Sequence, residues 1–422
     1  MNQEKQYIRK RIWKARFQSI AFYMCRIFPI KKNKIVFCCI EGTTGYSCNP
    51  KYIAEELIHR NKQEADGKKR FKLVWLVNDM SKSFPKEIQV VHNSLWNRAY
   101  QLSTAGFWID NSRKQLEARK RKGQIYIQTW HAKLGFKPTC LDRGASFSKI
   151  AYLVSKHDSD LVDYWLSNSD WYDKTLPTGS LYNGKTLRTG SPRCDILVKA
   201  KNNLEFKNAV KRQICGKQKI SVKDQDVEDI HFLMYAPTFR GGSQETNRSI
   251  EVGDHFPDYK MVKDALEKRF GGTWYILLRL HPQLVARHMQ SGCKSEYIVD
   301  VSREDDMYEI LAGCDAFMTD YSSAAFDAAV MEIPIFLYCD DYDTYEQERG
   351  KLLWDLNSDA LPFILTTNNL ELQNKVEKFD SAIYNTSLKK MVIDTNMQED
   401  GKAARNVVAV SYTHLTLPTN RE

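Results

Sequence analysis

The sequence predicts an α/β protein made of two doubly wound domains, each a parallel sheet with helices on both faces. Three observations lead to this prediction. Short apolar runs typical of buried strands alternate with helix-like segments along most of the chain. The alternation stops once, at the polar stretch CGKQKISVKDQDVEDIH (215–231), and then resumes. A chain of 422 residues is also too long for one ordinary core, so we expect two domains of about equal size.

The first half begins with the apolar run IVFCCIE (35–41), which predicts a strand that ends in the loop GTTGYSCN. Pro50 then marks a helix start, because proline is favoured in the first helical turn. Further strands are predicted at KLVWLVND (72–79), IQVVHN (88–93), GFWIDNS (106–112), QIYIQTWHA (124–132) and, last in this half, YWLSNSDW (164–171). Helices are predicted at PKYIAEELIHRN, LWNRAYQLST and, as one continuous helix, DILVKAKNNLEFKNAVKRQI.

The second half repeats this order of strands and helices. Strands are predicted at FLMYAPTF (232–239), WYILLRLHP (274–282), EYIVDVS (296–302), AFMTDYS (316–322) and, closing the sheet, PIFLYCDD (334–341). Helices are predicted around 260–270 and within SREDDMYEILAGCD and SSAAFDAAVME. Ligands of such sheets bind beyond the carboxyl ends of the strands, and the cleft between two facing domains is the expected site.

These patterns divide the chain into four predicted segments. They are a basic segment at 1–33, an N-terminal acceptor-side domain at 34–215, a C-terminal domain at 216–410 and a tail at 411–422. The tail, SYTHLTLPTNRE, has no apolar period and fits no element. It resembles a read-through product more than native sequence, so we expect it to contribute nothing to the fold.

The basic N-terminal segment is the strongest indication of a partner surface. Its only acidic residue is Glu4, and it contributes much of the net charge of +10. Basic and aromatic residues at helical spacing are typical of an amphipathic helix on an anionic membrane surface. The apolar run from Ile20 to Cys25 is too short to span a bilayer, and no signal-peptide cleavage site follows it. The alternative is a basic helix packed on the protein's own body.

Two other patterns indicate less than they first suggest. The ten cysteines are scattered without a C-x-x-C pair, which favours buried free thiols in a reducing cytosol. GSLYNGKT (179–186) fits the phosphate-loop pattern G-x-x-x-x-G-K-[ST], but that loop requires a strand before it and a helix after it. Gly190 and Pro192 follow too closely for a helix to start there. We therefore expect a chance match.

Polar residues follow five predicted strands or loops, where a ligand of the sheet would bind. A neutral imidazole such as His131 can accept a proton from a hydroxyl near pH 7. Hydroxyl groups and free N–H groups at a helix start bind phosphate. The candidates are His131, Thr238 and Arg240, Arg279 and His281, Asp320 with Ser322 and Ser323, and Arg349. Taken singly, each could be a surface residue, a helix cap or half of an ion pair. Together these residue types describe a diphosphate site.

The same segments resemble one family. QTWHAKLG, YAPTFR, LRLHP, TDYSSAAFD, DDYDTYEQERG and TGSPRCDIL are similar to motifs of the CDP-glycerol glycerophosphotransferases of teichoic-acid and capsule synthesis. The resemblance implies a GT-B-like fold of two facing Rossmann-like domains, attached peripherally to the cytoplasmic face of the membrane. It also implies transfer of glycerol phosphate from CDP-glycerol, or ribitol phosphate from CDP-ribitol, to a hydroxyl of a lipid-linked or polymeric acceptor.

The resemblance also implies roles for the candidate residues. His131 matches the proposed general base and His281 a second essential histidine, both catalytic. The residues that match segments contacting the CDP-alcohol are Thr238, Arg240, Arg279, Asp320, Ser322, Ser323 and Arg349. Two positions depart from the family pattern: Ala132 replaces a glycine after the histidine, and Cys194 replaces an asparagine in the P-R-N-D segment.

No cofactor or metal is predicted. Asp305–Asp306 and Asp340–Asp341 could bind a cation, but solvated loop acids are the favoured explanation. Three alternatives stay open at this level: a nucleotide-sugar transferase of the same architecture, a non-catalytic polymer-binding protein at the membrane, and, from charge alone, nucleic-acid binding. The last is not predicted, because the excess charge lies in one terminal helix and no recognised nucleic-acid module is present.

Overall fold

The computed structural model describes residues 2–63, 71–220, 227–238, 256–280 and 295–416. The chain forms two compact units. Unit 1 comprises Met1–Lys133, Pro138–Asp195 and Met397–Glu422, and unit 2 comprises Leu134–Lys137 and Ile196–Asn396. Each unit contains its own parallel sheet.

Unit 1 is built on a seven-stranded sheet within the described residues. The strands are β1 (Lys31–Cys38), β2 (Lys72–Val77), β3 (Ile88–His92), β4 (Ala105–Asp110), β5 (Ile125–Gln128), β6 (Tyr164–Ser167) and β7 (Lys185–Arg188). Their order is β3-β2-β1-β4-β5-β6-β7, and every neighbouring pair is parallel. Its helices are α1 (Asn2–Met24), α2 (Cys48–Gln63), α3 (Leu95–Ser103), α4 (Lys149–Leu161), α5 (Asp170–Gly179) and α14 (Ala403–Thr416).

Unit 2 repeats the design with a six-stranded parallel sheet. Its strands are β8 (Ile230–Tyr235), β9 (Thr273–Leu278), β10 (Ile298–Asp300), β11 (Ala316–Thr319), β12 (Ile335–Tyr338) and β13 (Ile364–Thr366), in the order β10-β9-β8-β11-β12-β13. The helices are α6 (Asp195–Asn202), which starts at the boundary, α7 (Leu204–Gln218), α8 (Tyr259–Phe270), α9 (Met307–Leu311), α10 (Ala324–Ala328), α11 (Tyr342–Arg349), α12 (Asn369–Glu377) and α13 (Ser381–Thr395).

The predicted pair of doubly wound α/β sheets is confirmed. Alternate side chains of β1 bury on opposite faces of the sheet of unit 1, because successive residues of a strand point to opposite sides. Ile35 and Phe37 belong to one core cluster, and Val36 and Cys38 belong to another. Both faces are therefore covered, which explains why the strands read as continuous apolar runs.

Some element predictions for the first half are wrong. Tyr164–Ser167 is not the last strand, because Lys185–Arg188 forms β7 beside it through the half-buried sequence KTLR, which carries no strong apolar signal. The single helix predicted from residue 195 is two helices. Asn203 separates them by capping α7, with its side-chain oxygen 2.9 Å from the Phe206 N–H.

The phosphate-loop pattern is a chance match, as expected. GSLYNGKT begins at the end of α5 and ends inside β7, so it leads from a helix into a strand. This is the reverse of the order that a phosphate loop requires.

The unit boundary differs from the predicted one at 215/216. It falls between Asp195 and Ile196, and the chain returns to unit 1 from Met397 onward. The prediction that 411–422 fits no element is wrong for its first half, because α14 continues to Thr416. This helix is anchored before that point by Val407 and Val408, which are fully buried in the core of unit 1.

The basic N-terminal segment forms α1, and two faces of this helix carry apolar residues. One face packs on unit 1 through Ile8, Ala15 and Phe22. The opposite face is exposed and carries Trp13, Phe17, Ile20 and Met24. The strand that follows begins at Lys31, earlier than the predicted residue 35. Among the described residues, no helix is long and apolar enough to cross a membrane.

Candidate active site

Both sheets have the strand order of a dinucleotide-binding fold, which reverses direction at one point. The reversal lies between β1 and β4 in unit 1 and between β8 and β11 in unit 2. A crevice forms beyond the carboxyl ends of the strands at such a switch point, because the two adjoining loops run to opposite sides. The polar residues that follow these strands are therefore the first place to look for a site.

His131 lies in the loop after β5, and its ring orientation is set by a backbone acceptor. The Nδ1 atom is 2.8 Å from the carbonyl oxygen of Asn111, the residue that follows β4. A carbonyl oxygen can only accept, so Nδ1 carries the proton and donates it. The second ring nitrogen, Nε2, is then the unprotonated one. This is the tautomer that a general base requires.

The surroundings of His131 favour its neutral form. Desolvation by nearby protein atoms lowers its pKa to about 4, and the positive charges of Arg193, Arg113 and Lys133 act in the same direction. More than a third of the His131 residue is exposed, so water weakens the desolvation contribution. The downward direction still follows from the three cations, and the imidazole is neutral at pH 7.

A buried asparagine connects the segments around His131. Asn49, at the start of α2, donates to the carbonyl of Trp130 at 2.7 Å and to that of Thr129 at 3.3 Å. Its side-chain oxygen accepts from the Arg193 N–H at 3.1 Å. Arg193 in turn donates from Nη1 to the His131 carbonyl at 2.6 Å. Trp130 has a positive φ of 50°, a conformation that these bonds hold in place.

A buried polar network lies directly beneath this loop. Asp158 accepts from the Lys114 N–H at 2.8 Å, the Tyr126 hydroxyl at 2.9 Å and the Gln128 amide at 3.3 Å. Burial raises the pKa of Asp158 to about 6. Gln128 also accepts from the Trp130 N–H at 3.0 Å, so the network extends to the residue before His131.

In unit 2, two predicted residues meet at the switch point. Thr238, after β8, donates to the carboxylate of Asp320, after β11, through its N–H at 2.9 Å and its hydroxyl at 2.8 Å. Asp320 is almost fully buried. This aspartate therefore closes the two loops of the switch point onto each other. Its contacts indicate a role in shaping the site.

Arg279 follows β9 and is bound to backbone rather than to an acidic side chain. Its Nη1 donates to the carbonyl of Val301 at 2.8 Å and to that of Glu304. Burial lowers the pKa of Arg279, and the nearby acids, Asp306 first, act in the opposite direction. Arg279 thus has a structural role in holding the 301–304 loop, and its contact with a diphosphate stays a prediction.

The two predicted serines lie at the start of a short helix. Ser322 accepts from the Ala324 N–H at 3.3 Å, whereas Ser323, in the N-cap position of α10, makes no side-chain capping bond. Both are partly exposed. The 134–137 segment of unit 2 lies beside them, since a Cβ on Gly135 would be 3.4 Å from Ser323 Cβ.

Three predicted residues have no described side chain. His281 and Arg240 lie outside the described residues, and for Arg349 only the backbone, in α11, is described. Within the described ranges, no group of three or more histidine, cysteine or acidic side chains could hold a metal ion. Metal-independent chemistry therefore stays a prediction.

Sequence reasoning missed the residues that orient His131. Asn49, Asn111 and Arg193 were not candidates, because each forms its contacts with segments distant in sequence. Only Arg193 carried a signal, since it lies in the TGSPRCDIL segment that resembles the family.

Two parallel sheets with this strand order define a protein of the doubly wound α/β class. Residues 20–411 match the family described as CDP-Glycerol:Poly(glycerophosphate) glycerophosphotransferase. This match spans most of the chain, and the protein belongs to that family. The family resemblance predicted from the motifs is therefore confirmed.

Known proteins agree with this assignment. The chain is 26% identical over 330 residues to the teichoic acid poly(glycerol phosphate) polymerase of Staphylococcus epidermidis, covering 75% of this chain and 42% of that protein. It is 26% identical over 356 residues to the teichoic acid glycerol-phosphate transferase of Staphylococcus aureus, covering 83% and 84%. The chain thus spans less than half the length of the first relative. The solved wall teichoic acid polymerase TagF has the same fold, with a TM-score of 0.75, 24% identity and 97% of each chain covered.

Proposed function

We propose that this protein transfers glycerol phosphate from CDP-glycerol to a hydroxyl of a lipid-linked or polymeric cell-wall or capsule acceptor, releasing CMP. Its family membership and the names of its relatives support the reaction class. The observation that carries the proposal is the hydrogen bond from His131 Nδ1 to the Asn111 carbonyl, which leaves Nε2 free to accept a proton.

The reaction breaks the phosphoanhydride bond of CDP-glycerol and forms a phosphodiester bond to the acceptor. The acceptor oxygen attacks the phosphorus that bears glycerol, its proton passes to His131 Nε2, and the bond from that phosphorus to the bridging oxygen breaks. CMP leaves with the negative charge. General-base catalysis of this kind contributes typically ~10²–10⁴ in rate. Electrostatic stabilisation of the developing charge supplies most of the remainder.

We assign the CDP-alcohol to the switch point of unit 2. Thr238, Ser322 and Ser323 would offer hydroxyl and N–H donors, with Asp320 holding Thr238 in place. The negative charge of the diphosphate would be balanced by Arg240, Arg279, His281 and Arg349. Within unit 2, Gly135 of the 134–137 segment lies beside Ser323.

The decisive experiment combines calorimetry with product analysis. We expect His131→Ala to abolish transfer while CDP-glycerol binding stays nearly unchanged, because the base contacts the acceptor proton and not the donor. Ser323→Ala should weaken donor binding. The matched control for His131→Ala is His157→Ala, which replaces a histidine of α4 that is bonded to the Ala118 carbonyl. Near-normal turnover by His131→Ala would refute the general-base role. Preference for a UDP-sugar over CDP-glycerol and CDP-ribitol would instead indicate a glycosyltransferase.

We further propose that the exposed face of α1 binds the cytoplasmic surface of an anionic membrane. Trp13, Phe17, Ile20 and Met24 recur at helical spacing on one exposed stripe. Exposed basic residues flank this stripe, namely Arg9 and Arg16 on one side and Lys10 and Lys14 on the other. Each such charge near an anionic surface adds about 1 kcal/mol of attraction.

Vesicle co-sedimentation tests this surface. We expect Trp13→Ser with Phe17→Ser to reduce binding to phosphatidylglycerol vesicles by at least about tenfold, given the apolar area each side chain would bury. The matched control is Ile383→Ser with Ile393→Ser, which alters two equally exposed apolar residues on α13. Equal losses in both variants would contradict a specific role for α1.

A further inference from the structure

Two cysteines lie together at the switch point of unit 1. Cys39 directly follows β1 and is fully buried, and Cys48 is the first residue of α2 and is partly exposed. Their thiols lie close enough to interact, and the Asn111 side chain contacts both. Every cysteine in the described part of the chain is a free thiol, so this pair is reduced as it stands.

The Cys48 sulfur is surrounded by hydrogen-bond donors. Arg193 donates to it from Nη1 at 3.4 Å. The amide of Asn111 donates to Cys39 Sγ at 3.1 Å and also contacts Cys48. In addition, Cys48 begins a helix of 16 residues, whose N-terminus carries a partial positive charge. A thiolate at this position would be stabilised from several directions.

The two thiols differ in their acidity. The hydrogen bond from Cys39 lowers the pKa of Cys48 to about 6, against the opposing effect of burial, and the charge of Arg193 acts in the same direction. Burial raises the pKa of Cys39. Cys48, which is partly exposed and faces Arg193, is therefore the more acidic thiol, and the fully buried Cys39 is the less acidic one. This division of roles is that of an attacking and a resolving cysteine.

We propose that Cys48 and Cys39 form a peroxide-reactive pair that closes to a disulfide beside the candidate active site. In the first step, the Cys48 thiolate attacks hydrogen peroxide: an S–O bond forms, the O–O bond breaks, and hydroxide leaves and is protonated to water. The product is a sulfenic acid on Cys48. In the second step, Cys39 sulfur attacks that sulfur, the S–S bond forms and the S–O bond breaks. The departing hydroxide takes the Cys39 proton, so two thiols are oxidised and one peroxide is reduced to two waters.

The disulfide would alter the surroundings of His131. Arg193 bonds both Cys48 Sγ and the His131 carbonyl, and Asn111 bonds Cys39 Sγ while its carbonyl accepts from His131 Nδ1. Oxidation removes the thiolate that Arg193 faces and draws the two sulfurs together. We expect transfer to slow, a consequence that rests on the proposed role of His131; the chemistry of the thiol pair does not.

Mass spectrometry of the full-length protein tests the pair independently of catalysis. The folded protein is treated with hydrogen peroxide, alkylated in denaturant and digested. We expect a cross-linked peptide joining Cys39 to Cys48. In Cys39→Ser, the sulfenic acid should persist on Cys48 and be trapped by dimedone. Cys48→Ser should give no cross-link, and Cys215→Ser, which removes a buried thiol of α7, should leave the cross-link unchanged.

The proposal would be overturned if Cys39 and Cys48 stay free thiols under a peroxide treatment that oxidises other cysteines. It would also be overturned if dimedone labels a different cysteine in preference to Cys48. With the cross-link present, we expect transfer to fall at least about tenfold and to recover with dithiothreitol. Unchanged transfer would refute only the proposed effect of the disulfide on His131. The disulfide can be measured even in a protein without transferase activity. Failure of the thiol-pair proposal is therefore distinguishable from failure of the proposed function.

Discussion

At the scale of residues, the chemistry of the candidate site depends on what surrounds one imidazole. His131 was identifiable from its position after an apolar strand, but its tautomer depends on the Asn111 carbonyl. Its charge state depends first on desolvation by nearby protein atoms and then on the positive charges of Arg193, Arg113 and Lys133. The two departures from the family pattern lie close to it in sequence or space: Ala132 is the next residue, and Cys194 follows the arginine that holds the His131 carbonyl. The site is therefore specified by contacts rather than by the histidine alone.

The pH dependence of transfer follows from the lowered pKa of His131. A base must be unprotonated, so the rate falls as pH drops through its pKa. Since the pKa of His131 is lowered, we expect kcat/KM to hold its plateau below pH 6.5. Replacing Arg193 with glutamine removes a cation, so the acidic limb should move up towards the ordinary value of about 6.5. A pH–rate profile measures both.

Arg143→Gln is the control for this experiment, because Arg143 is exposed and does not contribute to the shift of His131. Superimposable acidic limbs for the wild type and Arg193→Gln would contradict the electrostatic account. The same shift bears on stability: the unfolded chain binds more protons at His131 than the folded chain between about pH 4 and 6.5, so acidification through this range disfavours folding.

At the scale of elements, unit 1 is closed by a helix from the far end of the sequence. Asp195 is the last residue of the 138–195 segment of this unit. Its carboxylate accepts from the Ala403 N–H at 2.9 Å and the Ala404 N–H at 2.8 Å. It thereby caps α14, whose first amides have no partner within the helix. Glu399 adds bonds to the Asn168 amide and the Ser191 N–H, both at 2.9 Å.

We expect Asp195→Ala to lower the free energy of unfolding by about 1–2 kcal/mol, the usual cost of losing a helix cap. Asp195→Asn should cost less, because one acceptor oxygen is kept. Urea titration followed by circular dichroism measures the difference. Asp359→Ala, an exposed aspartate, is the control and should stay within about 0.5 kcal/mol of the wild type. An unchanged free energy of unfolding in Asp195→Ala would show that α14 does not depend on this cap.

At the scale of the whole molecule, two sheets of the same strand order carry different chemistry at equivalent positions. The switch point of unit 1 holds Cys39, Cys48 and Asn111, and that of unit 2 holds Thr238 and Asp320. The chain also crosses between units more than once, since 134–137 belongs to unit 2 and 397–422 to unit 1. Neither unit is a single continuous stretch of sequence.

We therefore expect deletion of 397–422 to destabilise unit 1. Val407 and Val408 are fully buried among Ile35, Phe37 and neighbouring core residues, and each such side chain contributes about 1.5–3 kcal/mol on burial. Deletion of 417–422 alone removes neither valine and serves as the control. Thermal unfolding with proteolysis of the partly unfolded chain should show early cleavage within 31–128. Equal midpoints for both truncations would contradict this role of the C-terminal helix.

The sequence by itself determined the fold class, the family and most candidate residues, because these depend on local patterns: apolar runs make buried strands, and short polar motifs follow their carboxyl ends. Strand β7 was missed since KTLR has no such pattern, and strand β13 was missed because ILT is only three residues long. Helix α14 was missed because its contacts with Asp195 and the core of unit 1 join segments distant in sequence. Only the tertiary structure decided that Asn49, Asn111 and Arg193 hold His131, and that Cys39 touches Cys48. The physical reason is that hydrogen bonds and charge effects act over a few ångströms in space, irrespective of the number of residues between the partners.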